Sequence, residues 1–487
     1  MAGRGMGITM RAFHCKTVAL MVVCFVLANT LAGFAQTPQK SDSESLTSLR
    51  ERADAGNAEA QFALGKIYRD GKQAPQDFKE AVVWFRKAAD QGNAEAQENL
   101  AKLYFSGSGV PSDASEAIRW LRKAADQGYA PAQTVLGLLY TEGSGVPKDF
   151  SEAARWCRKA ADQSAADAQY CLGNIYFYGK GVPKDLGEAA RWWRKAADQG
   201  DAFAQEELAL MYQNGEGMPV DFGEAARLFR KAADQGNASA QVNLGKLYFQ
   251  GKGVSQDYGE AVRWYRKSAD QGNRAAQVDL GSLYENGVEG LPQNFTEAAF
   301  WYRKAADQGI AEAQRRLGRL HLTGRGVTKD SAEAANWFRK AADQGDAGAQ
   351  VFLGMRYYKG EGVAQDYDEA ARLYRKAADQ GDAEGRFMLG LMYAMGRGVP
   401  KDFDESARWK KMAAEQGLPL AQQEVGVMYS LSGQGVPHDD VLAYMWMTLA
   451  SRGVQIGSLR DKLAARMTPQ QIAEGERLAA QWKPSNK

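Results

Sequence analysis

Every 36 residues this chain repeats itself. The phrase Lys-Ala-Ala-Asp-Gln-Gly, with small variations, closes segment after segment. Cut after its glycine, the chain yields units that begin at Asn57, Asn93, Tyr129, Ala165, Asp201, Asn237, Asn273, Ile310, Asp346, Asp382 and Leu418. These are eleven units of 36 residues, the seventh with one extra residue in its loop around Glu289-Gly290. A period of this length means that each unit is one supersecondary motif, too small to bury its own apolar face. Stacking neighbours then builds a continuous core. The 487 residues therefore read as one array, although a chain of that length would ordinarily split into several compact domains.

The unit Ala165–Gly200 shows how one motif is written. Ala168, Leu172, Ile175 and Tyr176 recur at helical spacing, so the first segment is an amphipathic helix of about three turns. Gly173 lies beside Leu172 and lets another helix approach closely. Gly179 and Gly181 break the helix and supply the positive φ of a tight turn. Asp185 and Glu188 form a start signal, in which the aspartate accepts orphan backbone N–H groups and the glutamate reaches back. A second helix then buries Leu186, Ala189, Ala190, Trp193, Ala196 and Ala197, while Arg191, Arg194, Lys195 and Asp198 form its solvated face. The pattern predicts an all-α chain, an α/α solenoid of eleven helix–turn–helix repeats. Its path is elongated and curved, on the order of 100 Å long at normal interhelical spacing.

The ends differ from the array. Arg4, Arg11 and Lys16 precede an almost uninterrupted apolar run from Val18 to Ala35, and Gly33-Phe34-Ala35 offers a small-residue cleavage site. Residues 1–35 therefore read as a signal peptide cleaved before Gln36, and the mature protein as periplasmic or secreted. The alternative is an inner-membrane anchor formed by residues 18–35. Residues 36–56 are expected to be a linker and a capping half-repeat, residues 57–453 the eleven repeats, and residues 454–487 the C-terminal capping helices. Thr468-Pro469-Gln470-Gln471 there has the form of a capping box with proline at the first helical position, opening a last helix to about Trp482. No later segment is apolar for long enough to span a bilayer.

Lys and Arg number 61 against 59 Asp and Glu, a net charge of +2, and the two signs are interspersed. That balance argues against nucleic acid, whose binding needs clustered cationic side chains, and against electrostatic attachment to a membrane. Cys15 and Cys24 leave with the signal, so the mature chain keeps Cys157 and Cys171. Two cysteines make neither a disulfide framework nor a metal cluster. Cys157 takes a buried position and Cys171 lies on the next helix, at a position that is usually polar. The sequence leaves a disulfide between them open.

These residues resemble the Sel-one-like repeat family (SLR), relatives of the tetratricopeptide repeat. The resemblance is carried by Ala168-Gln169, Leu172-Gly173, Tyr176, Gly179, Gly181-Val182, Asp185, Ala189, Trp192-Trp193 and Lys195-Ala196-Ala197, and it extends over nearly the whole mature chain. Departures are few. Gln73 replaces the second loop glycine, His321 the tyrosine, Gly385-Arg386 the Ala-Gln pair, and Leu228 and Leu373 the tryptophan. The resemblance implies a right-handed superhelix that assembles protein complexes, often in the bacterial envelope, with no catalytic residues to carry over. Some cysteine-rich relatives have been linked to penicillin binding and β-lactam hydrolysis, so an envelope enzyme or ligand binder is the alternative. Those relatives carry a cysteine pair in each repeat, and this chain does not.

Other features read as packing. His321 occupies a core position, and His438 stands where a capping aspartate belongs. The recurring Gly-x-Gly-Val has no preceding strand and is a turn, not a phosphate cradle. Glu188, Glu224 and Glu260 recur as caps, and Trp84, Trp120, Trp156, Trp192, Trp264, Trp301, Trp337 and Trp409 share one core position. No enzyme activity, cofactor or metal is expected, and the chain is expected to be a monomer whose partners are other proteins. By tetratricopeptide analogy the third, sixth, tenth and thirteenth residues of each unit face a concave side. There Phe62, Phe105, Tyr170, Phe177, Phe249, Tyr358 and Phe387 accompany Lys66, Lys102, Lys246, Arg315 and Arg319. Such rings either contact a partner or pack between first helices of adjacent units, and the sequence leaves both readings open.

The array has a direct test by small-angle scattering. A compact sphere of about 450 residues has a radius of gyration of roughly 22 Å. The mature chain should exceed that clearly, and a value near 22 Å would rule the extended solenoid out.

Overall fold

The computed structural model describes residues 45–431, 435–453 and 457–485, so the expected signal segment 1–35 lies outside it. It divides into two compact units, one up to Ser255 and one from Gln256 on. The first holds α1 (Leu46–Asp54), α2 (Ala58–Asp70), α3 (Phe78–Asp90), α4 (Ala94–Ser106), α5 (Ala114–Asp126), α6 (Ala130–Glu142), α7 (Phe150–Asp162), α8 (Ala166–Tyr178), α9 (Leu186–Asp198), α10 (Ala202–Asn214), α11 (Phe222–Asp234) and α12 (Ala238–Gln250). The second holds α13 (Tyr258–Asp270), α14 (Arg274–Asn286), α15 (Phe295–Asp307), α16 (Ala311–Thr323), α17 (Ser331–Asp343), α18 (Ala347–Lys359), α19 (Tyr367–Asp379), α20 (Ala383–Met395), α21 (Phe403–Glu415), α22 (Pro419–Ser430), α23 (Asp440–Ala450), α24 (Gly457–Ala464) and α25 (Pro469–Gln481). Among the described residues the only β pairing is an isolated bridge between Val288 and Leu291, in the loop that carries the extra residue. The chain is an all-α solenoid.

Each repeat contributes two helices because its punctuation is local. The second helix starts where aspartate caps it: Asp185 accepts from the Glu188 N–H at 2.9 Å. Glu188 does not reach back as expected. Its carboxylate points forward along the helix and accepts from Arg191 (3.0 Å) and from the Trp192 indole N–H (3.1 Å). It thereby orients a tryptophan that is only 2% exposed. Lys195 lies over the outer face of that ring, 4.1 Å from its centroid, so part of the solvated face shields the core. In the last repeat Asp439, not His438, caps α23, accepting from the Leu442 N–H, because the loop before it is one residue longer.

A buried amide joins one repeat to the next. Gln97 on α4 donates to the Ala89 carbonyl at the end of α3 (3.0 Å) and accepts from Gln127 at the end of α5 (2.8 Å). The same pair of bonds recurs at Gln133, Gln169 and Gln205 in the first unit and at Gln277, Gln314 and Gln350 in the second. Arg386 substitutes in the tenth repeat by donating to the Ala378 carbonyl. At the outer edge of the joint an arginine donates to a tyrosine hydroxyl of the following repeat, as Arg122 does to Tyr140 (2.6 Å) and Arg194 to Tyr212 (3.0 Å). His321 takes the tyrosine's place. It is buried, faces Arg303 across 3.0 Å from Nε2, and sets Nδ1 3.3 Å from the Thr328 carbonyl. The arginine can only donate, so Nε2 accepts from it and Nδ1 is left to donate to the carbonyl.

Glycine decides how closely the helices meet. A Cβ at Gly173 would collide with the Trp193 ring, which is the close approach the sequence implies. Gly181, at φ 71°, has a second reason to be glycine: a Cβ there would overlap the Phe150 backbone at the start of α7, in the preceding repeat. Gln73, which takes the place of this glycine in the first repeat, holds the same left-handed backbone, with a φ of 66°.

The cysteines are settled too. Cys157 on α7 and Cys171 on α8 are both buried and form a disulfide with Cα atoms 6.3 Å apart, 14 residues apart in sequence. It ties the second helix of the third repeat to the first helix of the fourth, and closing a loop of this size contributes about 3 kcal/mol. At the ends, Leu49 and Ala53 of α1 are buried with Ala60, Leu64 and Trp84. The capping box at Thr468 and Gln471 is present. Gly475 of α25 lets the Tyr444 ring of α23 approach.

These contacts separate two substitutions at one repeat position. Gly181→Ala should cost about 2 kcal/mol or more, because the left-handed backbone alone penalises a side chain by roughly 1–2 kcal/mol and the overlap with α7 adds to it. Gln73→Gly should instead stabilise the chain by about 1 kcal/mol. Thermal melting of both variants checks this, and equal effects at the two positions would remove the neighbouring helix as the reason for the glycine.

Candidate interaction surface

With the joints occupied by the same residues in repeat after repeat, the first helices supply the positions that vary. In the first unit the sixth residue of successive repeats is Phe62, Glu98, Thr134, Tyr170, Glu206 and Val242. Five of the six are buried, between 5% and 9% exposed, and Tyr170 alone is half-buried. Phe62 is 9% exposed and packs on Phe85, ring centroids 5.8 Å apart, with Lys66 over it. Phe177, at the thirteenth position, is 7% exposed and packs on Trp193 at 5.2 Å. Of the two readings the sequence left open for these rings, burial at Phe62 and Phe177 favours packing. Phe105 and Phe249 are half-buried, Phe105 against the continuous core of the first unit.

Tyr170 differs. It is half-buried and its ring lies 6.0 Å from that of Phe203, which is 38% exposed. Burial and the nearby Glu207 carboxylate push the Tyr170 hydroxyl well above its ordinary range. Phe203 occupies the third position of its repeat, as the only aromatic there in the eleven units. That signal was legible, and the emphasis on sixth and thirteenth positions missed it. Tyr178, 38% exposed and edge-on to Phe177, was missed for the same reason.

Beside these rings the surface dips. A groove of about 530 Å³ is lined by Glu98 and Lys102 of α4, by Pro131, Thr134, Val135 and Leu138 of α6, and by Ser164 to Asp167 leading into α8. It exists because the third repeat carries short or apolar residues where the second carries Glu95, Glu98 and Lys102. Lys102 is paired with Glu98 at 3.0 Å. Ser164 holds a left-handed φ of 68° at a position that is otherwise glycine. The equivalent glycines Gly128, Gly200 and Gly236 have open space around them, so a side chain fits there and costs only backbone strain.

In the second unit the anticipated cations and rings are dispersed. Arg315 pairs with Asp346 at 3.0 Å and is half-buried, while Arg319 is exposed. Tyr358 stacks edgewise on Tyr367 at 5.3 Å and accepts from Arg397. Phe387 is half-buried against the last core cluster. Lys246 is exposed. No group of three or more His, Cys, Asp and Glu side chains among the described residues is placed to hold a metal ion, and no described helix is long and apolar enough to cross a membrane.

Asp201 caps α10, accepting from the Ala204 N–H at 2.6 Å, yet burial, with Asp167 adding repulsion, raises its carboxyl to about 6. Unfolded aspartate titrates near 3.9, so between about pH 4 and 6 the folded state binds more protons. Stability from this group is present below that window and lost as pH rises through it. Asn caps the first helix at Asn57, Asn93 and Asn237, so Asp201→Asn should keep the cap and remove the penalty. The variant should gain on the order of 1–2 kcal/mol at pH 8 and nothing at pH 4, read by melting at both pH values. A gain independent of pH would show that the carboxylate charge is not its source.

The model of the family described as Sel1 repeat matches eleven consecutive segments: 58–93, 94–129, 130–164, 166–201, 202–237, 238–273, 274–310, 311–346, 347–382, 383–418 and 419–453. Among solved structures the chain is similar to c5321, described as a protective antigen present in uropathogenic Escherichia coli strains and displaying an SLR fold. That match has 37% identity and a TM-score of 0.81, covering 90% of this chain and 94% of the other. It is also similar to a Sel1 repeat protein from Oxalobacter formigenes, at 34% identity and a TM-score of 0.51, over 67% of this chain and 99% of the other. A search of curated proteins finds no match.

Proposed function

The chain belongs to the Sel1 repeat family, and from that footing we propose that it is an exported scaffold that holds other proteins on the face of its first helices, the concave side of the array. One observation carries this reading. Within each unit the joints recur with few substitutions, whereas the third position of the repeat is exposed and changes from Glu95 to Pro131, Asp167 and Phe203 along the first unit. A constant frame under a variable face is the arrangement that partner recognition requires, because packing leaves only those positions free to specify a partner.

The role is non-catalytic in this reading. The buried His321 serves a repeat joint, and the one cysteine pair links two repeats where the β-lactam-linked relatives have a pair in every repeat. Export rests on the basic and apolar N-terminus with its small-residue site before Gln36. A disulfide that persists in an oxidising compartment agrees with it, as does the description of the Escherichia coli relative as a protective antigen. Residues 36–56 and 454–487 cap the array at its two ends, and the protein acts as a monomer.

A photo-crosslinking amino acid placed at Phe203, Tyr170 or Arg319 should trap a partner in living cells. The same group at Arg191, on the second-helix face, should not. The chain in the adduct should begin at Gln36. Adducts that form only from Arg191 would overturn the choice of face, and no adduct from any position would overturn the scaffold reading.

A further inference from the structure

The first-helix face of the first unit is not uniform. Its groove has an apolar floor, with Val135 and Leu138 half-buried and Pro131 exposed. The wall on the α8 side carries Asp167, and beyond it come Asp201 and the Tyr170–Phe203 ring pair. The one cation in the groove, Lys102, is already neutralised by Glu98. Neither Asp167 nor Asp201 meets a cationic side chain among the described residues; burial makes charging both carboxyls costlier, and Asp167 adds repulsion at Asp201. The two carboxylates leave negative charge beside a ring pair of which Phe203 is exposed and Tyr170 half-buried.

We propose that this groove and the adjoining Asp167–Tyr170–Asp201–Phe203 patch dock a peptide segment of a partner protein in which apolar side chains stand next to lysine or arginine. The proposal rests on the scaffold reading and names the partner chemistry of that same face. Apolar side chains fill the depression over α6, which no residue of the third repeat is long enough to fill. The cation lies between the two carboxylates and over the aromatic pair, where ion pairing and cation–π attraction act together. An acidic segment is repelled by the same carboxylates, so the patch selects by exclusion as well as by attraction.

The test uses the purified chain and fluorescein-labelled hexapeptides read by fluorescence anisotropy. The sequence Gly-Leu-Lys-Leu-Arg-Gly should bind at least tenfold more tightly than Gly-Leu-Glu-Leu-Glu-Gly and than Gly-Ser-Lys-Ser-Arg-Gly, and its binding should weaken with salt. The double variant Asp167→Asn/Asp201→Asn should lose about tenfold in affinity without any fall in melting temperature, and Phe203→Ala should also weaken binding. Arg191→Ala should leave it unchanged. Equal binding of the acidic peptide, unchanged binding by the double variant, or no binding of the first peptide overturns the proposal. Capture of a partner by crosslinking from Arg319 would in those cases leave the scaffold reading standing. Peptide binding without any cellular adduct would overturn that reading alone.

Discussion

Most of this architecture depends on the buried glutamine at the fifth position of the repeat. Its side chain is about 3% exposed at Gln97, Gln133, Gln169, Gln205, Gln241 and Gln350, so its amide has no water to fall back on. Leaving such a group unpaired costs about 1–3 kcal/mol. The amide is satisfied in one relative placement of three helices, because it must reach a carbonyl at the end of the preceding repeat's second helix and receive an N–H from the end of its own. Apolar contact alone would not set that register. The second helices are lined with alanine, which packs closely in many nearly equivalent offsets, and the amide selects one of them.

The other recurring contacts reinforce that choice from outside. The arginine–tyrosine bonds fix the outer edge of each joint, and the glutamate pins its tryptophan while a lysine covers the exposed ring face. Exposed ion pairs such as Arg191–Glu188 add little by themselves, but here the carboxylate also holds a buried indole, so its main effect is on geometry. The same frame accepts substitution where the partner changes with it: Arg386 for glutamine, His321 for tyrosine, Lys411 over the Tyr429 ring for arginine. Buried indole N–H groups at Trp120, Trp156 and Trp337 lack an acceptor, and nothing in the structure explains them.

The joints absorb many positions, and what they leave on the first helices is uneven. The first unit combines a groove, two carboxylates that meet no cation among the described residues, and the Tyr170–Phe203 ring pair. In the second unit Arg315–Asp346 and Arg397–Tyr358 contacts engage the side chains there. The raised carboxyl of Asp201 shows what such a surface costs: a cap that is asparagine at Asn57, Asn93 and Asn237 is a desolvated carboxylate here, with its carboxyl raised by burial.

The order of residues alone dictates the period, the two helices per repeat, their caps and glycine turns, and the tryptophan stripe, since each depends on neighbours a few residues away and is written eleven times over. The C-terminal capping box and the close approach at Gly173 were legible for the same reason. Exposure of a ring was not. Phe62 and Phe177 sit at positions that hold polar residues such as Thr134 and Gln213 in other repeats, and their rings pack on Phe85 and Trp193 of another helix. Glu188's forward bond, the direction of the glutamine bonds, the cap at Asp439 and the Cys157–Cys171 pairing were decided in the same way. Each depends on side chains brought within bonding distance by packing between helices, and that distance is a property of the tertiary structure, to which local pattern is blind.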